Sequence, residues 1–394
     1  MKTLPDALLP VYDRAPITIV SGHGCELVDE DGKRYLDCIA GIAVCALGHT
    51  HPAIAEAVED QARRLVHASN LYSHEPAGIL ARELARRSGM SRVFFCNSGA
   101  EAIEAAIKLA RKAAFRRSEL RRTTILACTG SFHGRTLGAL AATDNPRYRE
   151  GFAPLPPGFA FVRFNDVADL ERKLDERVAA VLIEPVQGES GVHPADSGFL
   201  REARRLCDER GALLIFDEIQ CGMGRLGPLF AFEYFGVRPD VVTMAKALAN
   251  GLPIGAMLVG ERAADAFHYG DHGSTFGGSP VPAAAALAHL RVRDETNLEE
   301  NVRARSAQLC TALHGLAAEY ATVFGAPRGL GLLLGVPVKE PHKAKAVQAA
   351  ARGRGLLIGT AGGNTLRFAP PLIISEDEVS RAIEIIAASL PNIA

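Results

Sequence analysis

The chain has 394 residues, 48% hydrophobic and 23% charged, and its 44 Lys and Arg against 45 Asp and Glu leave a formal charge of −1. That length exceeds one typical domain and allows a large core with a smaller companion. The balance excludes a strongly basic nucleic-acid binder and an acidic disordered chain, and the longest apolar runs, near Ile39–Leu47 and Ala283–Leu290, reach about half of the roughly 20 residues that cross a membrane.

The first ten residues carry one Lys, then Pro5, Asp6 and Pro10 where an export signal needs an unbroken apolar stretch, which predicts cytoplasmic residence. Gly24-x-x-Leu27-Val28-Asp29-x-Asp31-Gly32-x-x-Tyr35-Leu36-Asp37 reads as a hairpin with a tight Asp-Gly turn. His49-x-His51-Pro52 lacks further residues at metal-ligand spacing, so a turn and helix start is the better reading than a zinc pair. Short, nearly continuous apolar runs follow at Val93–Cys96, Thr124–Cys128, Val178–Ile183, Leu213–Phe216, Val241–Met244 and Gly255–Val259. Separated by helical spacing, they predict a sheet covered on both faces.

Ser98 with Glu101 reads as a capping box opening a helix directly after the first of these strands. The basic run from Arg111 to Arg122 contains Glu119 and, apart from Phe115, no interleaved aromatics, so it reads as a solvated helix face rather than a nucleic-acid surface. From about residue 291 a separate α+β unit is expected: Leu366–Phe368 reads as a strand, and Ser375 with Glu378 caps a stripe of Val379, Ile383, Ile386 and Leu390. The eight Cys are scattered without C-x-x-C pairs, which predicts buried apolar thiols rather than disulfides or structural zinc.

The chemistry is concentrated in two strand ends. Leu213–Phe216 runs into Asp217, Glu218 and Gln220, and Val241–Met244 runs into Lys246. In open α/β sheets the carboxyl ends of the strands form the ligand crevice. A desolvated lysine can form a Schiff base, and a carboxylate can pair with a pyridinium nitrogen, so together they point to pyridoxal phosphate. Asn97-Ser98-Gly99-Ala100 adds a hydroxyl and free N–H groups at a helix start, suited to a phosphate.

These motifs give the sequence its resemblance to the class III pyridoxal-phosphate aminotransferases, of the aspartate-aminotransferase fold (fold type I). The matching stretches run in order: YLDCIAGIAVCALGHTHP at 35–52, FFCNSGAEAIEAAIKLAR at 94–111, SFHGRT at 131–136, EPVQGESGV at 184–192, LLIFDEIQCGMGRLG at 213–227, AKALANGLPIGAM at 245–257, HGSTFGGSP at 272–280 and LRFAPPL at 366–372. The resemblance implies an α/β chain with a large, mostly parallel-sheet domain at 51–290 and a small α+β domain built from residues 1–50 and 291–394.

It also implies roles. Lys246 would carry the cofactor as a Schiff base and shuttle the proton, Asp217 would pair with the ring nitrogen, Gln220 would meet the phenolic oxygen, and Phe132 would stack on the ring. Ser98, Gly99 and Ala100 would hold the phosphate together with Thr275 of a second subunit, making a homodimer with shared sites. Arg135 would receive the α-carboxylate of the amine donor and the distal carboxylate of glutamate, Arg367 the α-carboxylate of glutamate, with Glu189 masking Arg367 in between; Ser274 would also touch substrate. The implied reaction moves the terminal amino group of N2-acetyl-L-ornithine to 2-oxoglutarate, giving glutamate. N2-succinylornithine, ornithine and 4-aminobutyrate are the competing donors.

Ser190, Cys221, Leu226 and Ser279 depart from the family pattern, and Ser190 and Cys221 lie beside expected site residues. Gly222-x-Gly224-x-x-Gly227 formally matches a dinucleotide fingerprint, which would make the protein a nicotinamide-dependent oxidoreductase. Against this, Asp217 to Gln220 intervene after the strand, and Pro228 follows where a helix should start.

Overall fold

A computed structural model describes residues 7–390 of the chain. Its centre is a seven-stranded sheet in the spatial order Arg92–Cys96, Gly255–Val259, Val241–Met244, Leu213–Asp217, Val178–Ile183, Thr124–Cys128 and Phe159–Val162. Gly255–Val259 runs antiparallel to both its neighbours, and the other pairings are parallel. Four of the five inner strands are buried residue for residue, as expected where helices cover both faces. The six strands expected from the apolar runs are present. The seventh, Phe159–Val162, sits at the sheet edge; its four residues are all apolar and none is exposed, so the sequence carried a signal for it that went unread.

The helix Gly99–Arg116 packs one face on this sheet with Ile103, Ala106, Ile107 and Ala110. Its start corrects the expected reciprocal cap. Ser98 Oγ accepts from Glu101 N at 3.2 Å, but the Glu101 carboxylate accepts from Asn97 N rather than from Ser98. The box at Ser375 and Glu378 is complete.

Two four-stranded sheets flank the core. One joins the hairpin strands Ile19–His23, Glu26–Asp29 and Arg34–Asp37 to Leu356–Leu357, which pairs in parallel with Arg34–Asp37 and so ties the N-terminal region to the C-terminal one. The other is antiparallel, in the order Arg328–Leu330, Leu333–Pro337, Thr365–Phe368 and Gly359–Ala361. The helix Leu298–Glu319 packs on its strand Leu333–Pro337, and the helix Glu376–Ser389 packs on Leu298–Glu319. The turn after Glu26–Asp29 is longer than the tight Asp-Gly turn expected. Residues 30–33 form it, with the Asp29 carboxylate accepting from Asp31 N and Lys33 N and Gly32 at φ +81°.

Among the described residues all eight cysteines are free thiols and six are buried. No helix there is long and apolar enough to cross a membrane, and no cluster there could hold a metal. His51 is the residue before the helix Pro52–Arg64, whereas His49 Nε2 bonds Asp37 Oδ2 at 2.8 Å. The basic run is spent within the chain: Arg111 reaches the Thr123 and Pro157 carbonyls, and Lys112 pairs with Asp271. The expectation of no export signal rests partly on residues 1–6, which lie outside the described residues.

Candidate active site

Parallel order forces the strand ends onto one edge. Leu213–Asp217 lies between Val178–Ile183 and Val241–Met244, so Glu184, Asp217 and Lys246 follow three adjacent strands at their carboxyl ends. They line one cavity of about 240 Å³ with Gly99, Ala100, Phe132, His133, Gly134, Arg135, Val186, Glu189, Ile219 and Gln220.

Asp217 is buried and accepts three hydrogen bonds, from His133 Nδ1 at 2.7 Å, from Ile219 N at 3.1 Å and from Thr243 Oγ1 at 3.4 Å. Glu218, its sequence neighbour, turns away and accepts from Ala231 N and Phe232 N. Burial lifts its carboxyl to about 8 against those two bonds. The two adjacent acids therefore differ in kind: Asp217 faces the cavity and Glu218 is structural.

Lys246 sits at φ +45°, a left-handed conformation that a non-glycine residue adopts only under constraint. Burial pushes its amine below the ordinary lysine range, and the charges of Glu189, Asp217 and Glu184 oppose that shift without cancelling it. An amine that loses its proton more readily is the form in which lysine acts as a nucleophile or base.

Phe132 N donates to Glu184 Oε2 at 3.0 Å. Burial, and then the Asp217 charge, push the Glu184 carboxyl well above the ordinary range. Glycines keep the cavity walls close. A Cβ at Gly99 would stand 2.8 Å from Ile219, one at Gly134 2.8 Å from Ala100, and one at Gly188 1.5 Å from Gln220 Oε1.

Arg367, in the strand Thr365–Phe368, is buried and ion-paired with Glu189; the same Nη1 donates to Gly188 O at 3.1 Å. Gln220 joins the pair by donating to Glu189 Oε1 at 3.1 Å. Burial raises the Glu189 carboxyl, but the Arg367 and Lys246 charges and the bonds from Arg367 and Gln220 outweigh it, so it stays ionised below its ordinary range. Arg135, by contrast, is exposed, and among the described residues it has no carboxylate partner.

The expected residues do not all meet. Lys246, Asp217, Gly99, Ala100, Phe132, Gln220, Arg135 and Glu189 share the cavity. Ser98 stands at its rim as the helix cap, and Arg367 is joined to it through Glu189. Ser274 and Thr275 line a separate cavity with Asn97 and His272, where Asn97 Nδ2 donates to Ser274 Oγ at 3.2 Å. His133, Glu184, Thr243 and Gly188 were missed by sequence reasoning. Glu184 was findable, because it ends a buried apolar strand as Asp217 does.

The glycine fingerprint fails as a dinucleotide site. Residues 218–230 form turns, and no helix begins at the glycines.

The donor set suits a flat, anionic, heteroaromatic aldehyde. A primary amine and a buried carboxylate occupy the walls with an aromatic ring, and the first N–H groups of an 18-residue helix are at one end. A profile of Aminotransferase class-III matches residues 10–390. Acetylornithine aminotransferase of Thermosynechococcus vestitus is 48% identical over 98% of this chain and 96% of its own. Among solved structures, ornithine aminotransferase of Toxoplasma gondii superposes with a TM-score of 0.94 at 33% identity, covering 98% of this chain and 93% of that one. An amine transaminase from an uncultivated Pseudomonas species, solved with PLP bound, gives 0.94 at 28% identity over the full length of both chains.

Proposed function

The chain belongs to the class III aminotransferases, and from that premise we propose that it transfers the terminal amino group of N2-acetyl-L-ornithine to 2-oxoglutarate, using pyridoxal phosphate. Lys246 would hold the cofactor through Nζ, Asp217 through the ring nitrogen, Phe132 through its ring face and Gln220 through the phenolic oxygen. Ser98, Gly99 and Ala100 would hold its phosphate. Bound there, the cofactor supplies an electron sink for the pair released when a C–H bond beside the reacting nitrogen ionises.

The rest follows from the chain's own groups. Once the substrate amine has replaced its Nζ on the cofactor, Lys246, whose amine burial pushes below the ordinary lysine range, would take up the proton leaving the substrate carbon that bears the nitrogen and give it back later in the half-reaction. Asp217, oriented by His133 and Thr243, keeps the facing nitrogen protonated. Arg135 binds the carboxylate of the amine donor. In the second half-reaction the acceptor's carboxylate displaces Glu189 from Arg367, while Arg135 receives its distal carboxylate.

The observation that carries this reading is the unequal state of the two arginines. Arg135 is open and Arg367 is covered, which suits a donor with one carboxylate remote from its reacting amine. The name of the 48%-identical relative supports the acetylated donor.

A homodimer belongs to the same proposal. Thr275 stands apart from its own chain's cavity on an exposed loop next to the exposed Phe276, and Asn70, which the exposed Leu71 and Tyr72 follow in the chain, donates to Ser274 O and Gly277 O of that loop. A second copy would bring Thr275 to the phosphate and Ser274 near substrate. We also propose the division into residues 1–50, 51–290 and 291–394, which the pairing of Arg34–Asp37 with Leu356–Leu357 supports.

Single-turnover half-reactions with N2-acetylornithine, N2-succinylornithine, ornithine and 4-aminobutyrate, followed by the cofactor's visible absorbance, test the reading. Fastest conversion with N2-acetylornithine is expected. Preference for another donor overturns the substrate, and absence of a lysine-linked chromophore overturns the site.

A further inference from the structure

Arg135 has an unusual support for an arginine expected to bind an anion. Its Cζ lies 3.7 Å from the centroid of the Tyr148 ring and 5.6 Å from that of Phe132. The two rings meet edge to face, 5.9 Å apart at 80°. A guanidinium laid on an aromatic face is held through its π surface, which leaves its in-plane N–H donors free. An ion pair would fix the same side chain by consuming those donors, as Glu189 does to Arg367.

Tyr148 is itself fixed from below. It lies in the short helix Pro146–Arg149, capped by Asn145, whose Oδ1 accepts from Arg147 N at 3.1 Å and Tyr148 N at 3.4 Å. The adjacent Asp144 Oδ2 accepts from Gly130 N at 2.9 Å and so ties this turn to the loop that leads into Phe132. Among the described residues, no hydrogen bond is made by the Tyr148 hydroxyl, so its ring face is the part that contacts Arg135.

We infer that Tyr148 is a positioning residue for carboxylate recognition: its ring holds the Arg135 guanidinium over its face at the cavity mouth, without consuming the donors that a substrate carboxylate needs. This rests on the proposed role of Arg135 and adds a residue to it. The ring contributes nothing to the chemistry at Lys246. Its effect is confined to substrates whose carboxylate uses Arg135.

The test compares N2-acetylornithine with N-acetylputrescine, which is the same donor without its carboxylate, in single turnovers of the loaded enzyme, where even a slow donor registers. Tyr148→Leu is expected to lower kcat/KM for N2-acetylornithine by roughly three- to thirtyfold, carried mainly by KM, and to leave N-acetylputrescine within about twofold. Tyr148→Phe keeps the ring face and is expected to behave as wild type. Arg135→Gln tests the premise separately, since it is expected to lose the preference for the carboxylated donor altogether.

If Arg135→Gln leaves that preference intact, the role of Arg135 falls, and the role of Tyr148 falls with it. Should Arg135→Gln abolish the preference while Tyr148→Leu does not reduce it, the inference about Tyr148 alone is overturned. Equal losses on both donors in Tyr148→Leu, or failure of Tyr148→Phe to match wild type, would mark a merely structural role and overturn it as well.

Discussion

Substituting Glu189→Gln isolates the charge that covers Arg367. In the present geometry Arg367 Nη1 has three acceptors, namely Glu189, Gly188 O at 3.1 Å and Gln220 Oε1 at 3.4 Å. Glutamate or 2-oxoglutarate must displace the first of these, whereas a donor held by Arg135 need not. A charge-assisted hydrogen bond contributes about 1.5–3 kcal/mol, and the neutral amide would retain about 1 kcal/mol of it. The difference is about 0.5–2 kcal/mol, and because the Glu189 side chain is 24% exposed against 4% for Arg367, solvent trims it to about 0.5–1.5 kcal/mol. At about 1.4 kcal/mol per decade, the variant should bind glutamate roughly two- to twelvefold more tightly. The N2-acetylornithine half-reaction should weaken, because the uncovered Arg367 cation then faces the incoming amine. Single turnovers with each amine give both specificity constants, and their ratio should move toward glutamate by at least about twofold. An unchanged ratio, or one that moves toward N2-acetylornithine, would refute the masking role.

Lys246→Ala should lower turnover by a factor on the order of 10³ or more and remove the lysine-linked absorbance, with the fold intact by circular dichroism. In the wild type, the pH limb that reports the free amine should lie below the ordinary lysine value of 10.5. Gly188→Ala would place a Cβ 1.5 Å from Gln220 Oε1; because that amide is the end of a flexible side chain, melting temperature should barely change while activity falls about tenfold. Adding Gly188→Ala to Gln220→Ala should then cost nothing further in kcat/KM, a non-additivity that a double-mutant cycle reads directly. Asp37→Asn should destabilise the fold by about 2 kcal/mol in denaturant titrations, since Asp37 is buried and accepts from Ile39 N, Ala40 N and His49 Nε2. The hydrogen bond to Asp37, with a further one to Cys45, raises His49 from 6.5 to about 9 against burial. A raised folded pKa stabilises fully below the unfolded value, so wild-type stability should decline as pH rises from 6.5 through about 9, and Asp37→Asn should lose most of that dependence.

What could be read from the sequence depended on whether the signal was local. The inner strands announced themselves because a strand buried on both faces must be apolar throughout, and Val178–Ile183 or Gly255–Val259 can hardly be anything else. Asp217 and Lys246 were legible as charges that end such strands. The segment Ala40–Ala43 was not. Ala40, Gly41, Ile42 and Ala43 all have φ between +49° and +68°, a left-handed turn that only Gly41 favours. It persists because Asp37 Oδ1 accepts from Ile39 N and Ala40 N while its other oxygen pairs with His49. No residue within the turn encodes that brace.

The pairing of Glu189 with Arg367 was expected only by resemblance, because nothing in either flanking sequence joins residues 178 apart in the chain. His133 was missed for a related reason. Its value lies in a 2.7 Å contact with Asp217 that exists only once Thr124–Cys128 and Leu213–Asp217 stand on the same sheet edge, with Val178–Ile183 between them.

That edge explains why a strained lysine is tolerated. Ala245, at φ −166° and ψ −140°, and Lys246, at φ +45°, lie where Val241–Met244 leaves the sheet and turns into the short 3₁₀ helix Lys246–Ala249. A relaxed backbone there would let the chain continue past the crevice. The surrounding contacts prevent it: buried His289 Nδ1 bonds Ala247 O at 2.7 Å, and Asn250 accepts from Leu47 N at 2.7 Å and donates to Gly48 O at 3.1 Å. Strain of this size, about 1–3 kcal/mol, survives only where neighbours over-determine the conformation. Two of those neighbours, Leu47 and Gly48, lie just beyond the left-handed turn that Asp37 braces. The N-terminal segment therefore helps to fix the lysine some 200 residues away, and a loss of the Asp37 brace should reach Lys246 through Asn250 as well as lowering stability.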